Sequence, residues 1–100
     1  MRIELRPSFN EEVRKAAVPV RRAVLKTIEL LSAIPDVLAL GAHHGLRFEK
    51  IHGFIEPSSG RQIHSIRITR GVRAMCCLDE GPAIILVSLH AQHDKAYRKN

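Results

Sequence analysis

Residues 63–89 constrain this chain more than any other stretch. Ile63 to Thr69 alternates, with Ile66 and Ile68 on one face and Ser65, Arg67 and Thr69 on the other. Arg70-Gly71 makes a tight reversal. Val72 to Leu78 alternates again: Val72, Ala74, Cys76 and Leu78 face in, and Arg73, Met75 and Cys77 face out. Asp79-Glu80-Gly81-Pro82 supplies the next turn. Ala83 to Leu89 is apolar on both faces, which suits a central strand covered on both sides. Strands joined this closely read as a β-meander. His90 to Asn100 is a polar exit crowded with titratable groups.

The residues before the meander read as one strand and two helices. Arg2 to Arg6 alternates and predicts an amphipathic edge strand, ended by Pro7. Ser8-Phe9-Asn10-Glu11 has the form of a capping box and predicts a helix start. Phe9, Val13, Ala16 and Ala17 share one helical face. Pro19 opens a second helix, because proline is tolerated in a first turn and not in an interior. Val20, Ala23, Val24, Thr27, Ile28 and Leu31 form its apolar face. Ile34-Pro35 closes it, since a residue before proline avoids helical backbone.

Asp36 to Gln62 is the least legible part. It holds room for one more helical turn at Asp36–Leu40, a packed segment at Leu46–Ile51 and a turn at Pro57–Gly60. The whole reading is a single α+β domain over residues 1–100. A two-helix hairpin packs on one face of a small, mostly antiparallel twisted sheet, in the order βααβββ. The other face stays open and carries Arg67 and Arg73.

Charge and cysteine usage narrow the function. The net charge is +6, and such an excess on a small domain favours an anionic partner: nucleic acid, an acidic protein or an anionic membrane. The plain alternative is a soluble protein that is simply basic. A meander ending in titratable groups on a basic chain is the layout of a small protein directed at RNA or nucleotides. Cys76 and Cys77 are adjacent and point to opposite faces of a strand, so they do not make a disulfide framework. A reducing cytoplasm is expected. No apolar stretch has signal-peptide length near Met1, and Ala83–Val87 is far too short to span a bilayer.

Four stretches, in order, resemble the RelE/ParE toxin superfamily of bacterial toxin–antitoxin systems. Gly45-Leu46-Arg47-Phe48-Glu49-Lys50-Ile51 is similar to the family's Gly-Leu-x-Leu-Glu-Lys-Leu segment. Ile63-His64-Ser65-Ile66-Arg67-Ile68 is similar to its aromatic-Ser-x-Arg-Val strand, with His64 in the aromatic place. Thr69-Arg70-Gly71-Val72-Arg73-Ala74 is similar to its x-Arg-Asp-Tyr-Arg-Val turn, with Gly71-Val72 replacing Asp-Tyr. Ala91-Gln92-His93-Asp94-Lys95-Ala96-Tyr97-Arg98 is similar to the Gly-His-His-Asp-Glu-x-Tyr-Arg ending, with Gln92 in place of the first His.

The resemblance implies a toxin neutralised by a cognate antitoxin in a hetero-oligomer. RelE-like members cut mRNA, usually on the ribosome; ParE-like members inhibit DNA gyrase without catalysis. A non-toxic partner or co-repressor of its antitoxin is a further alternative. No membrane is implied.

RNA cleavage of this kind needs a base for a 2′-hydroxyl, an acid for the leaving oxygen and cations for the phosphate. His93 matches the family's tail histidine and is the first candidate for a proton step. Asp94 is a candidate to orient or ionise a neighbouring base. Tyr97 is a candidate for stacking or proton work. Arg67 and Arg73, on one face of paired strands, suit phosphate oxygens. Lys50, Arg70 and Arg98 are candidate RNA contacts. Each has a plain alternative: a solvated tail histidine, a ring closing the sheet, a solvated sheet face, ordinary surface charge. Arg14, Arg21, Arg22 and Lys26 read as a solvated helix face that could also hold an RNA backbone. The six histidines include His43-His44 and His90-x-x-His93. No Cys-x-x-Cys or His-Glu-x-x-His accompanies them, so neither a metal nor another cofactor is expected.

Overall fold

A computed structural model of the chain describes residues 1–91. Strand β1 (Arg2–Leu5) leads into helix α1 (Pro7–Lys15), and α2 (Val18–Ala33) follows after a two-residue break. Pro7 starts α1, where its missing N–H is no loss. The expected capping box is therefore corrected. The cap residue is Arg6, without a side-chain bond, and Ser8 Oγ donates 2.8 Å to the Val87 carbonyl instead. Proline's fixed φ begins the helix two residues early and turns Ser8 into a surface hydroxyl facing the sheet. Pro19 sits in the first turn of α2, and Ile34 ends that helix in extended backbone, as Pro35 requires.

The illegible stretch holds three elements. Helix α3 (Val37–Ala42) is capped by the Asp36 side chain, which accepts from the Ala39 N–H at 2.8 Å. A 3₁₀ turn at His44–Leu46 ends in Arg47, whose φ of 48° is left-handed. Strand β2 (Glu49–Ile55) then enters the sheet, followed by β3 (Gln62–Thr69), β4 (Val72–Asp79) and β5 (Ala83–Ala91).

The sheet order is β1-β5-β4-β3-β2. β1 runs parallel to β5, and the other pairs are antiparallel. The α+β class, the helix hairpin on one face and the βααβββ order all hold, with β2 and α3 added. The helices bury Phe9, Val24 and Leu31 against Ile66, Ala74, Cys76, Ile84 and Leu86. Each such aliphatic or aromatic side chain contributes about 1.5–3 kcal/mol. The opposite face carries no helix among the described residues, yet it is not uniformly polar. Ile63, Cys77 and Ile85 form a second apolar cluster there, flanked by Ile51, Met75 and Val87.

One irregularity decides which side chains reach that second face. β4 and β5 pair as Cys76 with Leu86 and as Met75 with Ser88, so Val87 is an extra residue on β5. A bulge of this kind shifts the alternation by one. Ile84 and Leu86 face the helices before it, and Leu89 faces them after it. His90 consequently lies on the helix-free face. Among the described residues no helix is long and apolar enough to cross a membrane.

Candidate functional site

Arg67 on β3, Arg73 on β4 and His90 on β5 are direct cross-strand partners in one row. The neighbouring row is Glu49, Ser65, Met75 and Ser88. Together they make the polar end of the helix-free face.

The members of the first row differ in burial. Arg73 is 8% exposed. Its Nε and Nη2 donate to Ser65 Oγ at 3.0 and 2.7 Å, and Nη2 also donates 2.7 Å to the Arg47 carbonyl. An ion pair to Glu49 Oε1 at 3.1 Å completes its shell. Arg67 is half-buried, and His90 is exposed. The His90 Nε2 lies 2.9 Å from Ser88 Oγ, a contact between the two rows. Arg70 is exposed in the reversal that closes β3 onto β4, beside the same end of the sheet.

Lys50 falls elsewhere. It pairs with His64, which lies on the helix side with Ile66 and Ile68. His64 stacks on Phe48, with ring centroids 4.7 Å apart and planes 7° from parallel. Burial holds the His64 pKa below its usual value, and the Lys50 charge adds to that effect. Thus the residue standing in the family's aromatic place does stack. His93, Asp94, Tyr97 and Arg98 lie outside the described residues; in sequence they follow Ala91, the last residue of β5.

Beside the row the same face opens into a cleft of about 510 Å³, lined by Ile51, Phe54, Ile63, Met75 and Val87 and reached by His90. Among the described residues no group of three His, Cys, Asp or Glu side chains gathers to hold a metal ion.

Neither a family model nor a curated protein sequence matches the chain. Solved structures do share its architecture. The RelE–RelB complex from Pyrococcus horikoshii OT3 contains a chain that superposes with a TM-score of 0.67, at 12% identity, over 91% of this chain and 93% of that one. A copper-bound mutant toxin from Helicobacter pylori superposes at 0.50, with 16% identity, over 95% of this chain and 97% of that one. The chain has a RelE-like fold.

On this RelE-like scaffold the sequence pattern finds Arg67, Arg73 and Ser65 on one face and overlooks His90 and Ser88. Strict alternation from Ala83 groups residues 84, 86, 88 and 90 on the helix face. Nothing in the local sequence marks the bulge at Val87 that moves Ser88 and His90 to the other side. What the two rows bring together is a guanidinium, an imidazole and a hydroxyl on one open surface. That set can hold an anionic oxygen and move a proton beside it.

Proposed function

We propose that this chain is the toxin of a toxin–antitoxin pair and an endoribonuclease that cuts mRNA on the ribosome, in a bacterial cytoplasm. The observation that carries the reading is the Arg67–Arg73–His90 row on a RelE-like fold. Arg67 would bear on the phosphate oxygens, and charge that grows there in the transition state is where a fixed cation helps most. His90 would take the proton of the 2′-hydroxyl or supply one to the leaving 5′-oxygen, steps worth about 10²–10⁴-fold. The attacking oxygen belongs to the RNA, so this chemistry calls for no metal. His93 and Asp94 would complete the acid–base set, Tyr97 would stack on a base, and Arg70 and Arg98 would follow the RNA backbone; Lys50, on the helix side, has no place in that path.

A cognate antitoxin is the protein partner of the same proposal. The solved complex with this fold pairs RelE with RelB, and a charge of +6 suits an acidic partner.

The test is induction of the chain alone in a bacterial host, with 5′-end mapping of cellular mRNA. Growth arrest with new 5′ ends is expected, with both lost in Arg67→Ala and His90→Ala. His93→Ala, run beside them, tells which histidine is essential. Arrest without cuts would overturn the nuclease in favour of gyrase inhibition. No arrest would leave a non-toxic partner of an antitoxin.

A further inference from the structure

We infer that Ser8 and Glu12 of α1 are positioning residues for His90, acting through the bulge in β5. The inference rests on the nuclease reading for its activity arm and on geometry for the rest. β1 pairs with β5 from Ala83 to Leu86, so β5 runs on past its partner. The outer edge of β5 is met there by one backbone N–H and then, along the overhang, by two side chains. The Arg6 N–H donates 3.0 Å to the Leu86 carbonyl. Ser8 Oγ donates 2.8 Å to the next carbonyl, Val87. Glu12 Oε1 accepts from the Leu89 N–H at 2.8 Å.

Two successive carbonyls taken from the same flank do not occur in a regular strand, where they alternate sides. They are the mark of the bulge, and each has a donor from the β1–α1 junction. The Glu12 carboxylate then fixes the Ser88–Leu89 peptide, one peptide short of the bond that leads into His90. Remove these side-chain partners and the overhang loses the contacts that make the extra residue at Val87 favourable. A β5 without the bulge turns His90 toward the helices and breaks the row with Arg73 and Arg67. Glu12 touches none of the row residues, so its effect reaches them through the strand.

The test uses the full chain and three variants. Glu12→Ala removes the acceptor, Glu12→Gln keeps a neutral one, and Glu11→Ala is the control. Glu11 is ion-paired with Arg14 and Lys15 on the same helix and has no contact with β5 among the described residues. In Glu12→Ala the Leu89 amide should exchange about tenfold faster, as loss of one such bond implies. The His90 ring resonances should shift, their contact with Ser88 should weaken, and mRNA cleavage should fall by up to about 100-fold, the cost of misplacing a group by about 1 Å. Glu12→Gln should restore all of these, and Glu11→Ala should change none. Faster Leu89 exchange with unmoved His90 resonances would overturn the inference and leave Glu12 a strand clasp. A wild-type chain that cuts no RNA would sink the nuclease reading alone, because the ring resonances still decide the positioning role.

Discussion

The Arg73 guanidinium clasps Ser65 Oγ, 2.7 Å from Nη2 and 3.0 Å from Nε. Its cross-strand neighbour Arg67 makes neither contact. A buried guanidinium is tolerable when its donors are met; Ser65 and the Arg47 carbonyl accept from Nε and Nη2 of Arg73, and Glu49 pairs with Nη2. Arg47 stands in left-handed backbone at φ 48°, a conformation costly for a residue with a Cβ. The bond to its carbonyl helps hold that turn. So two arginines in one row divide the work. Arg73 fixes the sheet to the segment entering β2, and Arg67 presents charge.

That division predicts opposite phenotypes. Arg73→Ala strands the Ser65 hydroxyl and the Arg47 carbonyl, and should cost about 2–3 kcal/mol of stability. Arg67→Ala should stay within about 0.5 kcal/mol of wild type while abolishing mRNA cleavage. Urea midpoints at unchanged slope measure the first effect, and 5′-end mapping the second. Equal stability of the two variants would refute the assignment.

Glu56 ties distant parts of the chain together. Both its carboxylate oxygens accept from Arg6, each at 3.0 Å, which fastens the β1–α1 junction to the turn after β2. The Arg6 hydrogen bonds, first among several causes, lower the Glu56 pKa from 4.5 to about 2. Between those values the unfolded chain binds more protons than the folded one, so folding weakens as pH falls. The contribution is complete above 4.5 and lost as pH drops through about 2. Urea midpoints taken from neutral pH downward should show this acid slope, and Glu56→Gln should flatten it.

What the sequence makes legible follows from which residues act locally. Pro19 and Pro35 bound α2 by covalent geometry, and the alternation of β3 and β4 follows from a sheet with distinct faces. β2 hides because it is an edge strand with most residues exposed. Gly53 at φ 82° and a register shift between Lys50 and Ile55 break its period. The Ser8 capping box misleads because Pro7 claims the first helical position. His90 escapes because a bulge is settled by partners from β1 and α1, remote in sequence from β5. The hidden features are those decided by tertiary contact.

Cys76 and Cys77 are both fully buried and not bonded to each other. Burial raises both thiol pKa values, that of Cys77 to about 11, with the Glu56 charge adding to its shift. A thiolate is the reactive form, so neither cysteine should react with a thiol reagent in the folded protein. Labelling should appear in step with urea unfolding. Rapid labelling of Cys77 in the native chain would show that the second apolar cluster opens readily, and of Cys76 that the helix-side core does.

His64 gives the fold a second acid-sensitive point, separate from Glu56. Its Nδ1 is buried without a hydrogen-bond partner among the described residues, and its ring lies flat on Phe48. Desolvation lowers its pKa from 6.5, and the Lys50 charge acts in the same direction. The unfolded chain therefore protonates this ring at a pH where the folded chain does not. Stability from the neutral stack is complete above 6.5 and declines as pH falls through the lowered value. Wild type should thus lose stability in two stages, one beginning near 6.5 and one near 4.5. His64→Phe keeps an aromatic ring on Phe48 and has no proton to gain, so it should erase the first stage and spare the second. Urea midpoints across that pH range separate the two. An unchanged first stage in His64→Phe would assign it to another group and remove His64 from the account.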